Sequence, residues 1–240
     1  MITPHQCAHL ADDCKKLGGE TLYHFDGNAY GTASGPYPWL QTGATIPHSW
    51  GYRLYYEGYT GHPIAIYPVF FGCDPYPKNM YGRLRIVSPS LDIQYASGDG
   101  VHYNAFLTGL CITPQQWVNL FVRVTAAQDL YVYVGNSVIG PYALTYTPTY
   151  QGNDVVLMRL MGYSYYTNGY LKDVVFYNRD VGDDGANMFQ NGGVPAHPQL
   201  YLPGTEGDGD FKNLARSRDS ITLTDGVWQY TDPDDGRVWI

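Results

Sequence analysis

At 240 residues the chain is long enough for one large β domain with a sizeable core. Its net charge of −8, without any basic run, argues against nucleic-acid binding, which needs lysines and arginines to neutralise phosphates. No apolar run approaches the ~18 residues of a membrane span, and 24 Tyr, 28 Gly and 16 Pro against 15% charged residues predict many turns and many half-buried aromatic strand positions.

In chain order, the first expected element is a helix over residues 3–19. Thr3 is a natural N-cap, Pro4 fits the first helical position, and Gln6 completes a capping box. Cys7, Leu10, Ala11, Cys14 and Leu17 form one apolar stripe that Gly18-Gly19 ends. No basic stretch leads into an apolar run, so the expectation is a chain without a secretory leader. Four cysteines, Cys7, Cys14, Cys73 and Cys111, are too few and too scattered for a disulfide scaffold and fit cytosolic assembly with reduced thiols.

A first strand and a long turn-rich connection follow over residues 20–50. Strands are expected at Tyr52–Tyr56 and Ile64–Phe71, with Pro63 and Pro68 arguing against a regular central strand. Short strands come next at Leu84–Val87 and Leu91–Tyr95. The clearest alternation lies in Trp117–Val124, where Val118, Leu120, Val122 and Val124 line one face and Trp117, Asn119, Phe121 and Arg123 the other. Leu130–Val134 repeats the pattern. Two further strands, Val155–Met161 and Tyr170–Asn178, flank a Tyr/Ser/Thr/Asn/Gly loop. In the second, Leu171, Val175 and Tyr177 read as one face and Tyr170, Val174 and Phe176 as the other, so both faces are partly apolar. The expected core is Val118, Leu120, Val122, Val132, Val134, Leu157, Val175 and Tyr177. Beyond it, Pro195, Pro198, Pro203 and the Gly204–Asp210 run mark a linker or extended arm. Ile221–Thr224 and Val227–Tyr230 read as a terminal hairpin around Asp225-Gly226.

Three segments carry a resemblance. Residues 169–181, GYLKDVVFYNRDV, followed by Asn191-Gly192-Gly193, resemble the closing segment of laminin-G-like, concanavalin A-like β-sandwich domains. LYHFDGNAYG, residues 22–31, is similar to their opening strand and Asp-Gly loop. WVNLFVRV and DLYVYVGN are similar to their Trp-led strand and the "LYVNG" strand after it, although here Tyr133-Val134 intervene before Gly135 and Asn136 follows the glycine. The resemblance implies an all-β, antiparallel two-sheet jelly-roll sandwich over residues 20–193. To it the sequence adds one short N-terminal helix, residues 1–19, and a C-terminal arm, residues 194–240.

Glycosidases of this fold carry a Glu-x-Asp-x-x-Glu strand, and a retaining pair must sit about 5 Å apart. This chain has only Glu20, Glu57 and Glu206, in no such pattern, and the adjacent pairs Asp183-Asp184 and Asp234-Asp235 point apart. No catalytic residue is therefore assigned, and a glycoside hydrolase of the same fold stands as the second alternative. Oxygen-rich acidic loops at Asp208 and Asp210, and at Asp180, Asp183 and Asp184, are candidates for calcium, although solvated turns explain the same residues.

The leading expectation is a non-catalytic structural protein of a phage particle, a capsid decoration or tail-associated sandwich. It would be assembled in the host cytoplasm, with partners among its own copies, other virion proteins and host-surface glycans. The alternative is a carbohydrate-binding, lectin-like module acting outside the cell. The expected sugar-contacting residues are Tyr163, Tyr165, Tyr166, Asn168, Tyr170, Trp50 and Tyr52; the expected assembly interface is Trp228, Val238, Trp239 and Ile240. An arm docking on another subunit and an arm folding back against the strand near Leu22–Phe25 fit the sequence alike.

Overall fold

The computed structural model describes residues 20–34, 47–60, 65–72, 79–87, 90–99, 101–148, 154–159, 164–215, 220–231 and 238–239. The helix expected over residues 3–19 lies outside them. The described strands, in chain order, are β1 (Glu20–Phe25), β2 (Tyr30–Ser34), β3 (His48–Thr60), β4 (Ala65–Gly72), β5 (Asn79–Val87), β6 (Ser90–Gly98), β7 (Tyr103–Ile112), β8 (Trp117–Val124), β9 (Asp129–Val134), β10 (Ser137–Ala143), β11 (Asp154–Leu157) and β12 (Tyr166–Tyr177). A helix, α1 (Gly182–Gln190), precedes β13 (Leu200–Leu202), β14 (Phe211–Lys212), β15 (Ser220–Thr224), β16 (Val227–Thr231) and β17 (Val238–Trp239). No helix among the described residues is long and apolar enough to cross a membrane.

The strands form two antiparallel sheets, as expected of a jelly-roll sandwich. Sheet A runs β10-β9-β8-β3-β12-β1-β16-β17, with β13 beside β12; sheet B runs β14-β15-β2-β11-β4-β5-β6-β7. Alternation along β3 sends Trp50, Tyr52 and Leu54 inward, where Leu120, Val122, Val132, Leu171 and Phe176 join them. Val69, Phe71, Ile93, Tyr95, Val155 and Leu157 meet them from sheet B. Each large side chain buried here contributes about 1.5–3 kcal/mol relative to exposure, so this layer dominates stability. Val118 and Val134, expected to be interior, pack on the rim of the core, partly buried.

Several sequence expectations change. Pro68 does lie in an interior strand, β4, but at the register shift between Ile66 and Val69, and its carbonyl accepts the Met158 N–H at 2.8 Å. The missing donor thus falls where the ladder is already interrupted.

In β12 a bulge between Lys172 and Val175 exchanges the faces read from strict alternation. Asp173, at φ 49°, is the inserted residue. Leu171, Val174 and Phe176 face the core between the sheets, while Val175 and Tyr177 turn to the outside of sheet A. One extra residue flips everything that follows it.

The segment from residue 194 is built into both sheets instead of standing away as an arm. β13 pairs with β12, β15 with β2, and β16 with β1 in the register Leu22↔Gln229, His24↔Val227. β15 and β16 are therefore not a hairpin: Asp225-Gly226 carries the chain from one sheet to the other. Gly226 donates its N–H to the Tyr23 hydroxyl at 2.6 Å, and a Cβ there would lie 2.4 Å from the His24 carbonyl oxygen. Only glycine fits that approach.

Helix α1 occupies the stretch read as an acidic turn. Asp183 and Asp184 in its first turn complement the helix dipole. Asn191-Gly192-Gly193 closes it: Gly192 at φ 93° donates to the Phe189 carbonyl at 3.2 Å, and Gly193 to the Met188 carbonyl at 3.0 Å. This paired termination is the Schellman arrangement. Ala186 and Phe189 of the helix cover Phe121, Tyr133, Val175 and Tyr177, making a second, smaller core on the outer face of sheet A.

Candidate functional site

Helix α1 covers only part of that outer face, and two arginines fasten it there. Arg53 of β3 pairs with Asp173 and donates to the Phe189 and Gly193 carbonyls at 3.2 and 3.0 Å, so it holds the helix C-terminus and the β12 bulge together. Its guanidinium also lies 4.7 Å from the Phe189 ring centroid. Arg123 of β8 donates to Asp180 at 2.7 and 3.0 Å and to the Tyr133 hydroxyl at 2.7 Å, and pairs with Asp183. Burial works to raise the Asp180 carboxyl, but the Arg123 hydrogen bonds and the Gly182 N–H hold it below its ordinary value. Burial, then the bond to Asp183, pushes the Tyr133 hydroxyl up to about 12. Asp180 and Asp183, weighed from sequence as calcium ligands, thus serve as anion partners of Arg123.

The part of the face that no described helix covers carries a row of rings. Trp117 of β8, Tyr55 of β3, Tyr170 of β12, His24 of β1 and Val227 of β16 lie directly opposite one another across successive strands. Directly opposed residues of antiparallel neighbours share a face. Ring centroids are 5.7 Å apart for Trp117–Tyr55, 6.0 Å for Tyr55–Tyr170 and 4.8 Å for Tyr170–His24. Trp117 and Val227 are exposed, at 37% and 53%, whereas Tyr170 at 2% is the buried middle of the row. Polar groups border the rings. Lys172 Nζ lies 4.9 Å over the Trp117 ring and pairs with Glu20. His24 Nε2 sits 2.8 Å from Glu57 Oε2, and the Tyr170 hydroxyl donates to Gln229 Oε1 at 2.6 Å. Burial first, then the nearby Glu57 charge, raises both the Tyr55 and the Tyr170 hydroxyls, so both stay neutral donors. The arrangement offers one exposed indole, a braced aromatic floor, and charged and amide groups within reach.

The residues expected from sequence fall differently. Trp50 and Tyr52, at 0% and 1% exposed, are locked between the sheets because they alternate with outward-facing Arg53 and Tyr55; neither can stack on a ligand. Tyr170 lies on the outer face, but at 2% exposed its ring is closed to a ligand and serves only as the floor between Tyr55 and His24. Half-buried Tyr166 joins Tyr30, at 6.2 Å, and the Arg159 guanidinium stands 4.6 Å from the Tyr30 ring and 5.4 Å from the Tyr166 ring. Asn168 and Tyr165 are half-buried, Asn168 beside the Gly58 backbone. Tyr163 lies outside the described residues.

Trp228, expected at an intermolecular interface, packs on its own sandwich. Its ring stands 5.6 Å from Tyr23 and 5.7 Å from Phe211, and Nε1 donates to the Gly209 carbonyl at 3.1 Å. Val238 and Trp239 pair through their backbone with Thr231 and Tyr230 of β16, and Ile240 lies outside the described residues. Asp208 is exposed, while Asp210 Oδ1 accepts the Leu223 N–H at 3.0 Å. Among the described residues no group of three or more His, Cys, Asp or Glu is placed to hold a metal ion. Sequence reasoning missed Trp117, Tyr55, His24 and Lys172 as one group. The alternation of β8 did put Trp117 on the non-core face, but nothing local says that β8, β3, β12 and β1 are neighbours.

No family model and no curated protein matches the chain. Solved structures do. A protein from Bacteroides ovatus ATCC 8483, described as a candidate carbohydrate-binding protein, is 12% identical with a TM-score of 0.65, over 88% of this chain and 60% of that one. The chain thus spans about 60% of that relative's length. A heptameric SAP-like pentraxin from Limulus polyphemus is 11% identical with a TM-score of 0.53, over 85% and 95%. The enzymatically active domain of tailspike protein 2 from bacteriophage CBA120 is 10% identical with a TM-score of 0.51, over 70% of this chain and 28% of that one. At such identities the shared property is the fold. The chain shares with them an antiparallel two-sheet β-sandwich.

Proposed function

We propose that this chain is a non-catalytic carbohydrate-binding module that receives a glycan on the open part of the outer face of sheet A. The observation that carries the reading is the row Trp117–Tyr55–Tyr170–His24, ending in an exposed indole and bordered by Lys172, Glu20, Glu57 and Gln229. A sugar ring has an apolar C–H face that stacks on an indole and hydroxyls that need charged or amide partners, and the face offers both. The three glutamates serve other contacts: Glu20 with Lys172, Glu57 with His24, and Glu206 with the Lys212 N–H at 2.8 Å. That distribution supports binding over hydrolysis. The fold likeness to the Bacteroides ovatus protein points the same way.

The test is titration calorimetry with a panel of neutral and acidic oligosaccharides. Binding by the native chain, lowered about tenfold by Trp117→Ala, is the expected result, equal to about 1.4 kcal/mol. Release of reducing ends from any of the panel would overturn the non-catalytic part.

A second reading places this module on a phage particle, with its own copies, other virion proteins and host glycans as partners. The fold likeness to a tailspike domain favours it. Its interface would have to lie elsewhere than Trp228, which packs within the chain. The oligomeric state of the purified chain is the measurement that bears on it: a monomer at every accessible concentration would count against self-assembly.

A further inference from the structure

Beside the ring row, between α1 and the β9–β10 hairpin, lies a pocket of about 130 Å3. Asn136 and Ser137 of the hairpin, Asn187 and Gln190 of the helix and its C-cap Asn191 line it, with Val138 on its wall. The lining carries no carboxylate, ammonium, guanidinium or imidazole, so the pocket favours neither a cation nor an anion. Amides and a hydroxyl that donate and accept, beside one aliphatic side chain that is 54% exposed, suit a small neutral polyhydroxylated ring. Gln190 is loosely held: its Nε2 reaches the Tyr133 carbonyl only at 3.5 Å, and its Oε1 is buried without a hydrogen-bond partner. Rotation of that side chain, which forfeits only this long bond, would bring an unpaired amide oxygen to the pocket wall.

The pocket adjoins the Trp117 face. Asn119 donates its side-chain N–H to the Gln190 carbonyl at 2.8 Å, and its own carbonyl accepts the Gly135 N–H at 3.3 Å. Asn119 follows Trp117 by two positions on the same face of β8, roughly 7 Å along the strand. A chain of sugars stacked on the indole and running toward α1 would therefore reach the pocket within a residue or two.

We infer that this pocket is a selectivity subsite that takes one neutral sugar residue of an oligosaccharide whose neighbouring residue stacks on Trp117. The inference rests on the carbohydrate-binding reading above, and the test separates the two. Titrate the full chain with laminari-, cello- and xylo-tetraose and with the matching disaccharides. Compare the native chain with Trp117→Ala, with Ser137→Trp, which fills the pocket from an exposed strand position, and with Asn187→Ala, which removes one lining amide from an exposed helical position. A thermal midpoint for each variant establishes folding.

The expected result is that Ser137→Trp lowers tetrasaccharide affinity about tenfold and Asn187→Ala about threefold. Disaccharide affinity, carried by the Trp117 face without the pocket, changes less than about twofold in both, while Trp117→Ala lowers every affinity. If Ser137→Trp and Asn187→Ala leave tetrasaccharide affinity at the native value while Trp117→Ala lowers it, the subsite is overturned and the carbohydrate-binding reading stands. If Trp117→Ala has no effect, both are overturned; if the native chain binds none of the six neutral probes, the neutral subsite is overturned, and the acidic panel decides the carbohydrate-binding reading.

Discussion

The two parts of the outer face of sheet A use the same strands and nearly the same side chains to opposite ends. Under α1, Phe121, Tyr133, Val175 and Tyr177 are buried beneath Phe189 and Ala186. Beyond the helix, on the same strands β8, β3 and β12, Trp117 and Tyr55 remain open or half-open with polar groups around them. What separates them is the cover. Gly51 lets Phe121 lie against β3, since a Cβ there would stand 2.4 Å from the Phe121 ring. Arg53 and Arg123 reach up from the sheet to hold both ends of the helix. In the open part, Lys172, Glu57 and Gln229 occupy the border instead, and no described helix packs on the rings. An aromatic strand face is therefore not a site in itself; it is a candidate only where no described element covers it and polar groups border it.

Substitutions can break that contrast on either side. The largest effect is expected from Arg53→Ala, which leaves Asp173 buried without its cation and frees two helix-end carbonyls. Breaking such a pair costs about 3–5 kcal/mol, read as a lowered urea midpoint. A fall under about 1 kcal/mol would mean the helix is held by packing alone. Gly51→Ala comes next. Its Cβ would meet both the Phe121 ring at 2.4 Å and the Leu120 carbonyl oxygen at 2.7 Å, and overpacking of this kind costs about 1–3 kcal/mol. An unchanged midpoint there would show that Phe121 can move aside freely.

On the open side, Trp117→Ala is expected to lower stability by only about 0.5 kcal/mol while removing the proposed binding surface, so calorimetry and denaturation should disagree. Equal losses in both would make Trp117 a packing residue. The smallest effect is the pH response of the covered part. The Asp180 carboxyl is held below its ordinary value of 3.8, so its contribution is complete above that pH and is lost as pH falls through the depressed folded value. Thermal midpoints of the native chain and of Asp180→Asn should converge as pH drops below about 4. A constant gap down to pH 2 would rule out this linkage.

Local pattern determined much of the sandwich. The alternation in Trp117–Val124 and Leu130–Val134 named the inward residues Leu120, Val122 and Val132, because successive side chains of a strand must point to opposite faces wherever the chain meets one core. The closing segment around GYLKDVVFYNRDV and Asn191-Gly192-Gly193 was legible as a fold signature, and the glycines prove to be the end of a helix. Tertiary structure decided the rest. One inserted residue at Asp173 exchanges the faces of β12, and no composition signals a bulge whose aspartate is stabilised by an arginine 120 positions away. Asp225-Gly226 looks like a hairpin turn, yet its strands join different sheets because β1 and β2 each lack a neighbour that only the C-terminal segment supplies. The ring row is of the same kind. Its members come from four strands distant in sequence, and only long-range pairing places them in one register, so periodicity could say which side of its own strand Trp117 faces but not that Tyr55, Tyr170 and His24 would stand beside it.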